Sequence, residues 1–269
     1  MSVNSDLRDD GILVVTMDQP PVNALTVQGW FDVADALNSV VANPAVKVVI
    51  LRAEGKGFNA GVDIKEMQNT TGFDALIGAN KGCFAAFKAV YECAVPVIAA
   101  VNGYCVGGGV GLVGNADIVV ASDDAYFGVP EVNQGALGAA THMARLVPQH
   151  LMRTLYFTAR TIPAADLIQH GSVYAVVPRA ELDDLALGLA AEIASKDGRV
   201  IRAAKEALNG IDPIDVNHSY RFEQGFTMEL NLMGVSDELR DDFAGTAKSG
   251  QSAGTAKSGQ SAGTEKGKK

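Results

Sequence analysis

Four short runs of consecutive apolar, mostly β-branched residues stand out in the first half of the chain. Continuous apolar runs are typical of strands buried on both faces, as in a parallel sheet covered by helices. The runs are GILVVTM at 11–17, VKVVILRA at 46–53, VPVIAAV at 95–101 and DIVVA at 117–121. They predict four strands of one buried sheet.

Between these runs the apolar positions change to helical spacing. Residues 27–42 place apolar side chains on one stripe and polar side chains outside it, which predicts an amphipathic helix. The stripe consists of Trp30, Val33, Leu37, Val40 and Val41. The Ala, Phe, Leu and Val positions of 74–93 predict a second helix in the same way.

Helical spacing dominates the chain after about residue 140. The predicted helices are 139–147, 149–159, 163–170, 180–196, 198–209 and 214–232, interrupted by Pro148, Pro163, Pro178 and Pro213. Strands separated by helices and followed by a helical end predict an α/β fold with a helical C-terminal region. The mixed charged and apolar faces of these late helices favour packing against another subunit.

The last residues, 244–269, differ in composition from the rest. AGTAKSGQS repeats, and a Gly, Ser, Thr and Lys repeat cannot bury enough apolar surface to fold, so we expect a disordered tail. Its GQSAG segments match the G-x-S-x-G nucleophile motif but lack the strand and helix that the motif requires. We therefore assign 1–243 to one domain, with a core over about 1–195 and a helical region over about 196–243.

Composition and charge exclude several classes of protein. The chain has 269 residues, 48% of them hydrophobic, and no apolar run of the ~18–20 residues that a membrane helix needs. Its first residues lack the basic and apolar regions of a secretory signal. The tail has five Lys and one Glu, so the net charge of −9 becomes −13 over residues 1–243, which argues against nucleic-acid binding. Three cysteines without a C-x-x-C pair (Cys83, Cys93 and Cys105) predict buried, reduced thiols and a cytoplasmic location.

The segment IAAVNGYCVGGGVGLVGN, at 98–115, is the first candidate for chemistry. A buried strand leads to three glycines and a helix of small residues, and the start of such a helix presents unpaired N–H groups that can stabilise a forming negative charge. Gly109, Gly111 and Gly114 also match the dinucleotide-binding spacing, but the acidic residue expected about 20 residues later is missing. Close packing of the helix explains Gly111 and Gly114 well.

Two other segments carry candidate polar groups. EGKGFNAGVDIKEM, at 54–67, reads as a loop that becomes helical near Asp63, where an acidic residue suits a helix start. YFGVPEVNQGALGAATH, at 126–142, contains Glu131 and His142. Taken alone, a loop carboxylate is usually solvated and a lone histidine is usually structural. The histidines show no metal-ligand spacing, and we predict no metal site.

Taken together and in this order, four motifs resemble the crotonase (enoyl-CoA hydratase/isomerase) superfamily. They are PPVNAL (20–25), GFNAGVDIKEM (57–67), PVIAAVNGYCVGGGVGL (96–112) and FGVPEVNQGALG (127–138). The resemblance spans nearly all of residues 10–243. It implies a spiral of β-β-α units with a helical trimerisation region, a homotrimer or hexamer, and an acyl-CoA thioester as substrate with no separate cofactor.

The resemblance also implies a site. The backbone N–H groups of Val62 and Gly108 would form an oxyanion hole for the thioester oxygen. Contacts to CoA or substrate would come from Ala60, Gly61, Asp63, Ile64, Lys65 and Gly107.

The chain departs from the superfamily pattern at two places. A typical hydratase has two glutamates that activate water; Glu131 falls on the second of these positions, whereas the first is Gly111. Thr141 and His142 replace a common glycine pair, which would bring an imidazole with a near-neutral pKa within reach of the pocket. Glu131 and His142 are thus the candidate catalytic residues, and either could be the general base.

Further segments are similar to a hydrolytic branch of the superfamily that acts in steroid breakdown. They include 82–103, RLVPQHLMR at 145–153 and SYRFEQGFTMELNL at 219–232. This likeness implies hydrolytic opening of ring D of a bicyclic indenedione carboxyl-CoA (HIEC-CoA) to COCHEA-CoA. The alternatives are an isomerase or hydratase of another enoyl-CoA and a non-catalytic acyl-CoA-binding protein; a dehydrogenase rests on glycine spacing alone.

Overall fold

The four predicted strands lie side by side in a six-stranded sheet of the computed structural model, which describes residues 2–240. Numbered along the chain, the strands of this sheet are β1 (Val3–Leu7), β2 (Ile12–Met17), β3 (Val48–Ala53), β4 (Val97–Val101), β6 (Ile118–Ser122) and β9 (Ala175–Val177). They are arranged in the order β1-β2-β3-β4-β6-β9, and every pairing except β1 with β2 is parallel.

A second sheet was not predicted. It consists of β5 (Tyr104–Val106), β7 (Tyr126–Gly128) and β8 (Thr161–Pro163). Strands of three residues are too short to leave a periodic pattern, and β8 and β9 interrupt a region that was predicted to be helical. Val106 pairs with Gly128 in the parallel β5–β7 ladder, so the residues that follow these two strands leave the sheet side by side.

Helices cover both faces of the larger sheet. Their bounds are α1 (Val27–Asn38), α2 (Ile64–Asn69), α3 (Asp74–Tyr91), α4 (Gly108–Val113), α5 (Ala140–Met143), α6 (Gln149–Thr158), α7 (Ala164–Leu167), α8 (Leu182–Ala194), α9 (Gly198–Gly210) and α10 (Val216–Leu232). The prediction of a helix over 139–147 was too long, since only α5 forms there.

The burial of alternate residues along β3 shows why its apolar run is continuous. Val49 and Leu51 belong to the core packed beneath α1 and α3, whereas Val48 and Ile50 belong to a second core beneath α8. Both faces of the strand are therefore buried, as the sequence pattern predicted.

The predicted stripe of α1 is correct except for its last member. Trp30, Val33, Leu37 and Val40 are fully buried, but Val41 is 67% exposed. The α-helix ends at Asn38 and continues as a 3-10 helix over Ser39–Ala42, so the change in residues per turn moves Val41 off the stripe.

The C-terminal region is helical as predicted: α9 and α10 are followed by a further helical stretch at 235–240. The predicted tail at 244–269 lies outside the described residues. None of the helices within 2–240 combines the length and apolar character that crossing a bilayer requires. The cysteines are free and buried, as predicted.

Candidate active site

The loop that precedes Val62 is held in place by two buried asparagines. The Oδ1 of Asn59 accepts a hydrogen bond from the Gly61 N–H at 2.8 Å, and its Nδ2 donates to the Asn23 carbonyl at 2.7 Å. Gly61 has a φ of +85°, and a β-carbon there would lie 3.4 Å from the Gly108 nitrogen. Glycine at position 61 therefore allows this loop to lie directly against the start of α4.

The backbone N–H of Val62 has no acceptor among residues 2–240. Leu25 pairs with Val62 as a parallel bridge, in which the Leu25 N–H donates to Gly61 and the Leu25 carbonyl accepts from Asp63, both at 2.9 Å. In such a bridge the intervening N–H points away from the partner strand. Val62 therefore presents a free donor on the side opposite Leu25.

Gly108 supplies a second free backbone donor in the described part of the chain. It is the first residue of α4, and the first N–H groups of a helix have no partner within the helix. The preceding Gly107 has a φ of +58° and donates to the Gly128 carbonyl at 2.9 Å. The ring of Trp30 lies 2.6 Å from where a β-carbon at position 108 would be, so that position also requires glycine.

The structure thus brings together the two segments of the predicted oxyanion hole, although they are far apart in sequence. Gly61 and Gly108 are in contact, so the free N–H groups of Val62 and Gly108 lie close together. Two preorganised N–H donors of this kind can hold the negative charge that develops on a carbonyl oxygen.

The residues predicted to contact CoA lie along the entry to α2. Asp63 caps this helix and accepts from the Lys65 N–H at 2.9 Å, which confirms the predicted helix start. Lys65 is exposed, Ala60 and Ile64 are partly exposed, and Gly61 and Gly107 are buried. Their roles in binding stay predictions.

Glu131 lies beside this contact between Gly61 and Gly108. It follows Pro130 in a 3-10 helix over Pro130–Gln134, a turn that the sequence did not predict. Its Oε1 is 2.8 Å from where a β-carbon of Gly107 would be. Its Oε2 is buried and has no hydrogen-bond partner among the described residues, which is the state expected of a carboxyl that faces a substrate or water.

The environment of Glu131 favours its neutral form. Burial and, to a smaller extent, the nearby charge of Glu223 raise the pKa of this carboxyl from 4.5 to about 8. Such a carboxyl gains or loses its proton close to neutral pH, as proton transfer in a catalytic site requires.

His142 has a different environment from the one predicted. Its ring is buried between Phe87 and Tyr220, at centroid distances of 4.9 and 5.0 Å. Burial and, secondarily, the charge of Arg145 lower its pKa to about 3, so the expectation of a near-neutral pKa was wrong. Desolvation in an aromatic environment disfavours the imidazolium.

The hydrogen bonds of Asn115 define the tautomer of His142. The Nδ2 of Asn115 donates to the Phe87 carbonyl at 2.8 Å, so its Oδ1, 3.1 Å from the His142 Nδ1, is the acceptor. The proton of neutral His142 is therefore assigned to Nδ1. Its Nε2 is a buried acceptor without a partner in the described residues.

Gly111, which replaces a glutamate of typical hydratases, has no room for a side chain. A β-carbon at this position would be 2.2 Å from the Phe87 ring. A β-carbon on Gly114 would likewise be 2.4 Å from the His142 carbonyl oxygen. Close packing accounts for both glycines, as the sequence suggested.

Sequence reasoning missed two residues beside Glu131. Glu223, on α10, accepts from the N–H groups of Ala140 and Thr141 at 3.1 and 3.3 Å. The Tyr156 hydroxyl accepts from the Gly138 N–H at 3.2 Å. The similarity of 219–232 to the hydrolytic branch was the one signal that pointed to α10. Residues 2–240 contain no group of three or more His, Cys, Asp or Glu side chains suited to a metal ion.

The fold and the paired free amides define an acyl-CoA enzyme family. The family model described as enoyl-CoA hydratase/isomerase matches residues 8–227, and the chain belongs to this family. A solved enoyl-CoA hydratase/isomerase from Pseudoalteromonas atlantica is 26% identical, with a TM-score of 0.81 over 91% of this chain and 98% of that one. The crotonase fold is thereby confirmed.

Two relatives are much more similar. The (7aS)-7a-methyl-1,5-dioxo-2,3,5,6,7,7a-hexahydro-1H-indene-carboxyl-CoA hydrolase of Rhodococcus jostii is 66% identical over 248 residues, 92% of this chain and 96% of the relative. The hydrolase of the same name from Mycobacterium tuberculosis is 67% identical over 243 residues, 90% of this chain and 98% of the relative. The resemblance to the hydrolytic branch is confirmed.

Proposed function

We propose that this chain is a hydrolase that opens ring D of the indenedione carboxyl-CoA HIEC-CoA and releases COCHEA-CoA in steroid breakdown. The observation that carries the proposal is the identity of 66–67% to two hydrolases of that CoA ester, over at least nine-tenths of the chain. The site supports it, because a single carboxyl lies beside two free backbone amides.

The proposed reaction begins when the thioester oxygen accepts hydrogen bonds from Val62 and Gly108. Glu131 in its ionised form removes a proton from water, and the resulting hydroxide bonds to the carbon of the ring ketone. The carbon–carbon bond next to that ketone then breaks. Its electron pair passes through the conjugated enone to the thioester oxygen, where the two amides hold the charge.

The reaction ends with a proton transfer. The proton on Glu131 returns to the carbon skeleton of the enolate, and the former ketone carbon becomes a carboxyl group. One water molecule is consumed, no oxidant or reductant is needed, and CoA stays attached. We assign the base role to Glu131 rather than His142 because an imidazole with a pKa of about 3 is a poor base at neutral pH.

The test is incubation of the purified chain with HIEC-CoA and, separately, with crotonyl-CoA, followed by mass spectrometry. We expect a gain of one water with ring opening in the first and no reaction in the second. Heavy-oxygen water should label the new carboxylate. Isomerisation without oxygen incorporation would favour the enoyl-CoA isomerase instead, and binding without turnover would favour an acyl-CoA-binding protein.

We further propose that the chain works as a homotrimer or hexamer in the cytoplasm. Large apolar side chains of the last helices are more than 60% exposed in the single chain: Val200, Leu208, Phe222 and Leu232. Exposed apolar surface of this kind is typical of an interface between subunits. Light scattering on the purified protein measures the assembly directly, and a monomer would contradict this part of the proposal.

A further inference from the structure

The carboxylate of Glu223 binds a loop that is more than 80 residues away in sequence. Its two oxygens accept separately from the N–H groups of Ala140 and Thr141, at 3.1 and 3.3 Å. These groups begin α5, which has no side-chain cap of its own and follows Ala139 in the left-handed conformation, with a φ of +61°. Glu223 thus satisfies backbone donors that would otherwise be unpaired.

The loop that Glu223 holds forms one wall beside Glu131. The Oε1 of Glu131 is 3.9 Å from where a β-carbon of Gly138 would be, and the Gly138 N–H donates to the Tyr156 hydroxyl. Two residues further on, the loop enters the Ala140–Thr141 contact with Glu223. Movement of the Glu223 carboxylate would therefore move the surface against which Glu131 lies.

Other anchors of the same loop are neutral. The Thr227 hydroxyl donates to the Leu137 carbonyl at 2.7 Å and accepts from the Leu137 N–H at 2.9 Å. The hydroxyl of Ser236 donates to the carbonyl of Gly135. The contact made by Glu223 differs because it adds a negative charge to the wall.

The titratable groups around these two carboxyls come from three helices. Cys83 of α3, Tyr156 of α6 and Tyr220 of α10 all have pKa values raised first by burial, with a further contribution from Glu131. Burial also raises the pKa of Glu223, against the lowering effect of the Thr141 and Ala140 amides. His218 of α10 lines a cavity of about 480 Å³ together with Glu223.

We propose that Glu223 is a positioning residue for the ring-opening reaction: its carboxylate fixes the 138–141 loop beside Glu131 and supplies the negative charge that Glu131 faces. This rests on the proposed function for the identity of the reaction. The space at Gly111 is filled by Phe87, and the carboxylate whose charge acts on Glu131 is that of Glu223 in α10. A negative neighbour makes ionised Glu131 a stronger base, because its proton affinity increases.

The experiment compares the titration of Glu131 in wild type and in Glu223→Gln. The carboxyl band of protonated Glu131 is isolated by infrared difference against Glu131→Gln in each background, without substrate. The pH profile of kcat with HIEC-CoA is measured in parallel. Removal of the negative charge in Glu223→Gln favours ionisation of Glu131. The midpoint of the infrared titration and that of the kcat profile should therefore both shift to lower pH by at least about half a unit.

Three control variants separate charge from structure. Thr227→Val removes a neutral anchor of the same loop, and Glu229→Gln removes an exposed charge from the same helix. We expect no shift of the Glu131 midpoint in Thr227→Val or in Glu229→Gln. Glu223→Asp keeps the negative charge, so the Glu131 midpoint should stay raised in that variant. An unshifted midpoint in Glu223→Gln, or an equal shift in Thr227→Val, would overturn the proposal.

Glu223→Ala covers the case in which Glu223→Gln does not fold, because its smaller side chain leaves room for water at the N–H groups of Ala140 and Thr141, which line the same cavity. It removes the same negative charge, so the Glu131 midpoint must again shift to lower pH. An unshifted Glu131 midpoint in this variant would also overturn the proposal. If wild type does not turn over HIEC-CoA, the proposed function fails, whereas the infrared titration still decides whether Glu223 acts on Glu131.

Discussion

The Oε1 atom of Glu131 lies over the α-carbon of Gly107, 2.8 Å from the point that a β-carbon would occupy. Gly107 directly precedes the free amide of Gly108, so the carboxyl and one donor of the proposed oxyanion hole are fixed by the same short turn. The positive φ of Gly107 makes this approach possible, because a side chain there would be both strained and in the way.

Gly107→Ala should therefore reduce turnover of HIEC-CoA by at least about 100-fold, the effect of losing one oxyanion-hole donor. The methyl group displaces Glu131 and disturbs the Gly108 amide together. Steady-state kinetics measure the loss. Gly55→Ala is the matched control, since Gly55 also has a positive φ, of +81°, but nothing lies within 4 Å of the added methyl. Equal losses in both variants would mean that backbone strain, and not the contact with Glu131, is responsible.

Glu131→Gln should abolish ring opening while leaving binding of the CoA ester nearly intact. A side chain that cannot accept a proton removes general-base catalysis, which contributes about 100- to 10,000-fold. Turnover with HIEC-CoA gives the loss, and calorimetric titration with a CoA ester gives the affinity. Full residual turnover would contradict the role assigned to this carboxyl.

The same substitution should change how stability depends on pH. A carboxyl whose pKa is raised by folding, here from 4.5 to about 8, stabilises the fold below the lower value and loses this contribution as the pH rises through the higher one. We expect the free energy of unfolding of wild type to fall between about pH 5 and about pH 8, and that of Glu131→Gln to fall less. Urea denaturation across this pH range measures the free energy of unfolding of both proteins. If the two free energies changed in parallel with pH, burial of an ionisable Glu131 would be contradicted.

His142→Ala should reduce turnover less than Glu131→Gln does. Because the pKa of His142 is about 3, this residue does not titrate above about pH 5. Its replacement should therefore leave the shape of the pH profile of kcat unchanged. Loss of a ring packed between Phe87 and Tyr220 should destabilise the fold by about 2–4 kcal/mol. Kinetics and denaturation measure both effects. Disappearance of an ionisation from the pH profile would instead identify His142 as the base.

The sequence predicted four of the six strands of the larger sheet, and the segments of the site, because both leave local signals. The strands appear as continuous apolar runs, and the turns at 60–63 and 107–109 appear as glycines within motifs. The pKa of His142 could not be predicted, since it depends on Phe87 and Tyr220, which come from distant helices.

The same reason explains why Glu223 was missed. Nothing near it in sequence indicates that its carboxylate binds Ala140 and Thr141, because that contact joins α10 to α5. Strands β5 and β7, which position Gly107 and Glu131, were missed for a different reason: their three residues each are shorter than any periodic pattern.

Gly111→Ala tests whether Phe87 truly occupies the space of the missing carboxylate. The added methyl would be 2.2 Å from the ring, so overpacking should destabilise the fold by about 1–3 kcal/mol. Gly188→Ala in α8 is the control, because no atom lies within 4 Å of its methyl and alanine favours a helix. Chemical denaturation of both variants gives the difference. If Gly111→Ala were as stable as Gly188→Ala, the ring would be free to move, and a glutamate at position 111 could then be tested for the hydration of enoyl-CoA that this chain is expected to lack.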